Sequence, residues 1–426
     1  MNEISPLGLI SNRERLTRHH GRWGRRVSGQ LGRTRAISRS DEIEGGATKP
    51  IARVCFLYIA QVHQVMHSLS AALELARGTP EVEVTIAATD PEVLAFTQTV
   101  IAKLGGAPIH WRLLGPGWLR GRRGVPPKLP MLAANARWLA RFDAIVTPER
   151  TTAALRQMGI RRPKLVYTQH GAGDREGPFE PRLARFDLVF AAGAKQRDRM
   201  VGEGWIAPER CAVVGYPKFD LVERLGSAVS PVFRSSRPVV VYNPHFEARL
   251  SSFPKWGEKI LGAFAAQQEF NLIFAPHVRM FGDRSPASVP ALAPFVDHPN
   301  IHIDLGDSPA AVDMAYTRAA DVYLGDASSQ VYEIVLTPRP CVFLNAQGAS
   351  WQGQESYRHW RFGAVVDEID ALMPALAAAA ESQATYQAAQ LESRDYTFSL
   401  DPPNASFRAA EAIARLIGKT LSPPGF

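Results

Sequence analysis

The chain has 426 residues, 46% of them apolar and 21% charged, a globular balance long enough for two hydrophobic cores. Cys55, Cys211 and Cys341 lie far apart, which excludes a disulfide scaffold or a cysteine-built zinc site and fits a reducing compartment. No apolar run approaches the roughly 18–20 residues that a membrane span needs.

Charge is uneven along the sequence. Of the formal net +8, the stretch from Arg13 to Arg39 contributes nine arginines against one glutamate, so the remainder is close to neutral. Residues 1–48 read as a disordered basic leader with too few large apolar groups to fold alone. Its expected partner is an anionic membrane surface, at about 1 kcal/mol per basic residue. Nucleic acid offers the same charge but is not the expected partner; a solvated tail or a transit-like presequence is the plainer alternative. The first twenty residues lack the apolar core of a secretory signal, so the expected location is cytoplasmic, peripheral on the inner face of the cell membrane.

Folding is expected to begin at the strand ARVCFLYIA, followed by a helix over VMHSLSAALELAR, the strand VEVTIAAT, and a helix over PEVLAFTQTVIAKLG that starts behind Asp90 with Pro91 in its first turn. A strand from Ile109 to Leu114 leads into GPGWLRGRRGVPPKLP, read as a basic loop around Trp118. The units FDAIVT, TTAALRQMG, KLVYTQHG, FDLVFAAG, AKQRDRMVGEG and CAVVGYPKFD complete a first domain over 51–225. A linker from Arg224 to Pro238 follows. Alternation then restarts with PVVVYNPHF, WGEKILGAFAAQQEF, NLIFAPHV, IHIDL, PAAVDMAYTRA, DVYLGD, SSQVYEIVLT and PCVFLN, giving a second domain over 237–395 that ends in the helix LMPALAAAAESQATYQAAQ. A C-terminal helix is expected over 404–420. Strands alternating with helices imply parallel sheets, hence an α/β chain of two Rossmann-like domains with a ligand cleft at the strand carboxyl ends.

Four strand ends carry polar groups suited to chemistry. His170, in Thr168-Gln169-His170-Gly171-Ala172-Gly173, is an imidazole able to take a proton from an acceptor hydroxyl, and Gly171 and Gly173 allow a tight turn and close approach. His245 in Asn243-Pro244-His245 and His277 in Pro276-His277-Val278-Arg279 follow consecutive strands, where both rings and Arg279 can donate to one phosphate. In Gly325-Asp326-Ala327-Ser328-Ser329 a strand gives way to a helix whose first amides and paired hydroxyls suit an anion. Asp326 is expected to bond backbone amides or a hydroxyl, and Glu333, one turn on, to reach ribose hydroxyls. His63 and His67 have metal-ligand spacing without a third ligand motif, so no metal site is expected. Simple turns and helix capping are the structural alternatives for each of these motifs.

These motifs together resemble the CDP-glycerol glycerophosphotransferase family, the teichoic-acid polymerase and primase group of the GT-B superfamily. The resemblance rests on His170-Gly171, on Gly215-Tyr216-Pro217-Lys218-Phe219-Asp220 against a GxPRxD turn, on Tyr242-Asn243-Pro244, on His277, on Asp326-Ala327-Ser328-Ser329 against Asp-Tyr-Ser-Ser, and on the run Pro338 to Leu344. It spans about residues 165–345. Gln169 replaces the tryptophan that the group carries before His-Gly, and Ala327 replaces its tyrosine. The resemblance implies a GT-B-like fold, two Rossmann-like domains with parallel sheets facing a central cleft. It also implies metal-independent transfer from a nucleotide-activated donor, CDP-linked, with no cofactor. His170 would be the base; His245, His277, Arg279, Asp326, Ser328, Ser329 and Glu333 would hold the donor; Gly171, Gly215, Pro217 and Asp220 would shape loops. The acceptor would be a hydroxyl of a membrane-anchored or polymeric cell-envelope glycan. Two alternatives stand beside it: an enzyme like UDP-N-acetylglucosamine 2-epimerase, and a catalytically inactive nucleotide- or glycan-binding protein.

Overall fold

The computed structural model describes residues 51–120, 126–174, 181–226, 232–282, 284–306 and 308–422; the basic leader and the middle of the loop around Trp118 lie outside them. Short apolar runs form two parallel sheets. The first contains β1 (Ala52–Tyr58), β2 (Val82–Ala88), β3 (Ile109–Leu113), β4 (Ala144–Thr147), β5 (Lys164–Tyr167), β6 (Leu188–Ala191) and β7 (Cys211–Val213), in the order β3-β2-β1-β4-β5-β6-β7. The second contains β8 (Val239–Asn243), β9 (Asn271–Phe274), β10 (Ile301–Ile303), β11 (Val322–Gly325), β12 (Cys341–Leu344) and β13 (Ala364–Val366), in the order β10-β9-β8-β11-β12-β13.

Every residue of β4, β6, β9, β11 and β12 is buried, because helices cover both faces of each sheet. Strand order reverses between β1 and β4 and between β8 and β11, and each reversal opens a crevice at the strand carboxyl ends.

Several sequence expectations change in detail. The helix expected from Val65 is a 3-10 turn, Val62–His67, followed by a helix over Leu69–Gly78. The segment read as a loop around Trp118 contains the helix Gly117–Arg120 and runs into a second, Lys128–Leu139, which buries Met131, Leu132 and Leu139. Trp118 itself is 76% exposed. The helix expected over SSQVYEIVLT contracts to Gln330–Ile334, and β13 forms in a stretch read as irregular.

The chain crosses between the lobes at its end. The 26-residue helix Leu372–Thr397 buries Leu372, Leu376 and Ala379 in the C-terminal core, then delivers Phe398 onto Tyr216 and Phe219 of the N-terminal lobe, at ring-centroid distances of 5.2 and 4.8 Å. The last helix, Ala405–Leu416, packs Phe407, Ala410, Ile413 and Ala414 against Leu69, Leu73 and Leu221 of the N-terminal core. Its start is pinned by Asp220, whose carboxylate accepts from the Ser406 amide and hydroxyl, both at 2.6 Å. Gly215 sits at φ +85°, and a Cβ there would collide with Arg408, Ser399 and Ala405. The Ser70 hydroxyl donates to the Pro217 carbonyl at 3.1 Å. The turn from Gly215 to Asp220 thus ties the returning helix to the first lobe.

Candidate functional site

Loops behind β5 and β7 meet the loop and helix behind β11, and the site is built where they touch. Gln169, two residues past β5, is left-handed at φ +58°, a conformation that costs a non-glycine residue about 1 kcal/mol or more. Its Nε2 donates to the Phe190 carbonyl at 2.6 Å, holding the turn. Gly171 and Gly173, read from the sequence as the turn-forming residues, do not have positive φ. Gly173 is needed for space, since a Cβ there would lie 2.5 Å from the Ser329 Cβ, whereas one on Gly171 would make an ordinary contact 3.7 Å from the Ser329 Oγ.

The turn aims His170 backward. Its Nδ1 lies 2.9 Å from the Pro148 carbonyl oxygen, which can only accept, so Nδ1 carries the proton and neutral His170 presents a basic Nε2. Burial pulls the ring below the ordinary imidazole range, while the Pro148 bond and the neighbouring Glu149 carboxylate act the other way. Glu149 is ionised. Burial pushes its carboxyl up, but Lys128, 2.5 Å away, holds it below its usual value.

The facing histidines have the opposite tautomer. His245 Nδ1 accepts from the Glu247 amide at 3.0 Å, and His277 Nδ1 accepts from the Arg279 amide at 3.2 Å. In each ring the proton therefore sits on Nε2, making it a donor. Phe246 packs between them, with ring centroids 4.6 Å from both, and the exposed Arg279 guanidinium lies 4.4 Å above the Phe246 ring. The sequence-predicted set His245, His277 and Arg279 is thus one cluster.

Asp326 is fully buried, and its Oδ2 accepts from the amides of His245 and Ser252, both at 2.9 Å. Burial pushes its carboxyl up to about 7. It positions His245 and does not face the cleft. Ser328 also departs from the expected role. Its hydroxyl donates to Asn243 Oδ1 at 3.1 Å and accepts from the Gln330 amide at 3.3 Å, so its proton is committed inside the lobe. Ser329 is exposed and stands against the glycine loop of the opposite lobe. Glu333, expected at a ribose, is held instead by Lys218 Nζ at 2.7 and 2.8 Å and by the Tyr216 hydroxyl at 3.1 Å, forming a bridge between the lobes.

A second bridge lies on the other side of Ser329. Asp174 accepts from the Tyr332 hydroxyl at 2.6 and 2.7 Å, from Lys195 at 2.9 Å and from His359 Nδ1 at 3.0 Å. Lys195 also stands 3.5 Å above the Tyr332 ring. Burial would raise the Asp174 carboxyl, but the His359 bond and the Lys195 charge hold it well below its usual range, while burial brings Lys195 down to about 8. Sequence reasoning missed this network. Asp174 directly follows the glycine loop, but Tyr332 and His359 carried no motif. Among the described residues, no group of three or more His, Cys, Asp or Glu side chains is placed to hold a metal ion.

No protein-family model and no curated protein sequence matches the chain. Solved structures do. A putative UDP-N-acetylglucosamine 2-epimerase from Listeria monocytogenes superposes with a TM-score of 0.59 at 12% identity, covering 89% of this chain and 100% of that one. A variant of the wall teichoic acid polymerase TagF soaked with CDPG gives 0.57 at 14% identity, over 87% and 89% of the two chains. The fold is GT-B-like. The UDP-GlcNAc 2-epimerase of Neisseria meningitidis, bound to UDP-GlcNAc, agrees with 0.57 at 12% identity over 85% of this chain and 98% of that one. In GT-B terms, His170 and the glycine loop belong to the N-terminal lobe, and the His245, His277 and Arg279 cluster belongs to the C-terminal lobe.

Proposed function

We propose that the protein is a GT-B transferase that moves a glycerophosphate, polyol-phosphate or sugar unit from a nucleotide-activated donor, CDP-linked, to a hydroxyl of a membrane-anchored or polymeric cell-envelope acceptor. The observation that carries the reading is the division of tautomers: one basic Nε2 at His170, and two donating Nε2–H groups at His245 and His277. Neighbours solved with CDPG, UDP-GlcNAc and UDP support a nucleotide donor in a fold of this shape.

In the glycerophosphate case the acceptor hydroxyl gives its proton to His170 Nε2 as its oxygen bonds to the donor's β-phosphorus. The bond from that phosphorus to the bridging oxygen breaks, and its electron pair leaves with CMP. Charge growing on the leaving phosphate meets the His277 and His245 N–H groups, Arg279 and the Ser329 hydroxyl, which take the part a metal plays elsewhere. With a nucleotide sugar the same groups would receive the leaving diphosphate, and attack would fall on the anomeric carbon.

The test is product identity. Incubation with CDP-glycerol, and separately with UDP-sugars, should release CMP or the matching nucleoside diphosphate only when acceptor is present, and His170→Ala should lose release while keeping nucleotide affinity. Interconversion of a UDP-sugar without nucleotide release would establish the epimerase alternative. Nucleotide binding without turnover on any acceptor would leave a binding protein.

A further inference from the structure

The loop behind β5 carries His170 near its start and the buried carboxylate of Asp174 at its end. The helix Ala194–Gly202, which follows β6, grips this loop by its carbonyls. Gln196 Nε2 donates to the Gly171 carbonyl at 2.8 Å, Lys195 Nζ to the Ala172 carbonyl at 2.9 Å, and the Arg199 guanidinium to the Asp174 carbonyl at 2.7 Å. Pro148 holds the His170 ring itself. All these partners belong to the N-terminal lobe. The Asp174 side chain instead reaches across, to the Tyr332 hydroxyl and to His359 Nδ1 of the C-terminal lobe. Tyr332 lies in the short helix Gln330–Ile334 that starts behind Ser329, and the next residue, Glu333, ties the same helix to Lys218 and Tyr216 behind β7. Lys195 joins the two sets, since its Nζ bonds the Ala172 carbonyl and the Asp174 carboxylate and stands over the Tyr332 ring. Bonds to a buried carboxylate are directional and costly to desolvate; apolar side chains would hold the lobes together as well but would let them slide.

We propose that Asp174 is a positioning residue: through Tyr332 and His359 it sets the loop that carries His170 in register with the C-terminal lobe. The basic Nε2 of His170 then faces the donor-holding groups of that lobe at a fixed separation. The proposal deepens the transferase reading and rests on it for its effect on turnover, while the register itself rests on the contacts alone. Asp174 acts through His170 and not on the substrate. Removing the Tyr332 hydroxyl is the narrowest perturbation, because it spares the Pro148 bond, the grip of Gln196 and Arg199, and the ring beneath Lys195. His245, His277 and Arg279 make no bond to this network, so donor affinity should not depend on it.

The experiment compares the full chain with Tyr332→Phe, Asp174→Asn, His359→Ala and His359→Asn by two readouts. The first is nucleotide release from CDP-glycerol or a UDP-sugar, with CDP and UDP affinities from calorimetry. A misplaced base should lower kcat about ten- to a hundredfold while nucleotide affinity stays within about twofold of wild type. His359→Asn, which can place an amide N–H near the position of Nδ1, should recover part of the loss seen in His359→Ala. The second readout needs no turnover: proton–nitrogen NMR of histidine-labelled protein, with His170 assigned from His170→Ala. The His170 ring signals should shift or broaden in Tyr332→Phe and Asp174→Asn, and those of His245 and His277 should not. Far-UV circular dichroism confirms folding, and if Asp174→Asn or His359→Ala does not fold, Tyr332→Phe decides. His170 signals unchanged in every folded variant would overturn the proposal, as would a kcat within about twofold of wild type in all of them. Nucleotide release by the wild type would leave the transferase reading standing after either result. A wild type that releases nucleotide from no donor would remove that reading, and displaced His170 signals would still support the register.

Discussion

Replacing Gly173 by alanine probes the contact between the lobes with a single methyl group. Gly173 has no positive φ, so alanine fits the backbone, and the only objection is Ser329. The new Cβ would lie 2.5 Å from the Ser329 Cβ and 3.1 Å from its Cα, whereas carbons settle at about 3.5–4.0 Å. The lobes must separate there by about 1 Å. Next along the chain, Asp174 reaches Tyr332 and His359 of the C-terminal lobe at 2.6–3.0 Å, and the same shift carries those bonds past the ~3.2 Å limit. Overpacking of this kind costs about 1–3 kcal/mol, and the weakened bonds to a buried carboxylate bring the expected loss to the upper part of that range. The thermal midpoint should fall by roughly 2–4 °C in a chain of this length, and donor turnover should fall up to about a hundredfold, because a shift of about 1 Å misaligns His170 with the opposite cluster. Differential scanning calorimetry and nucleotide release measure the two effects. Ser329→Gly removes the closer of the two clashing atoms, so the double variant should recover about half of the stability. A Gly173→Ala protein as stable and as active as wild type, or a double variant with no recovery, would show that Ser329 does not set the spacing of the lobes.

Further outcomes follow from the same geometry. Nucleotide release needs neutral His170, so its acid limb should lie below pH 6.5 and rise with pH; Glu149→Gln removes the charge that raises the ring's pKa, and the limb should move to lower pH in a pH–rate profile. In the Lys218–Glu333 bridge, either Lys218→Met or Glu333→Leu alone strands a buried charge and should cost about 3–5 kcal/mol, with the double variant costing clearly less than the sum in urea titrations. The folded-state value of Asp326, about 7, lies above the ordinary carboxylate value, so the folded state binds that proton more tightly and stability attributable to the group declines as pH rises from about 4 to about 7. Asp326→Asn keeps an oxygen for both amides and should abolish that decline without loss of stability above pH 7, as denaturant melts across pH would show. Chelation with EDTA should leave release unchanged if N–H donors carry the leaving charge.

Much of the fold was legible because parallel strands buried on both faces read as unbroken apolar runs, as in FDAIVT, NLIFAP and PCVFLN. Short elements were not. The strand Ala364–Val366 carries three residues of signal, and the helix Lys128–Leu139 opens behind consecutive prolines that read as loop. The placement of histidines after β5, β8 and β9 was visible from strand ends alone. Their tautomers were not, because these depend on the Pro148 carbonyl and on the Glu247 and Arg279 amides. Glu333 and Ser328 look the same in sequence whether they face a ligand or a partner; only the approach of Lys218 and Asn243, 115 and 85 residues away, decides. The returning helix reads as amphipathic, but nothing local says that its apolar face covers the other lobe.

The measurement closest to the centre of the account is the protonation site of each cleft imidazole. Long-range proton–nitrogen NMR on histidine-labelled protein near pH 7.5, assigned with His170→Ala, His245→Ala and His277→Ala, should find the proton on Nδ1 in His170 and on Nε2 in the other two. Finding Nε2 protonated in His170, or Nδ1 protonated in His245 and His277, would leave the cleft without its base or without its phosphate donors and would contradict the mechanism.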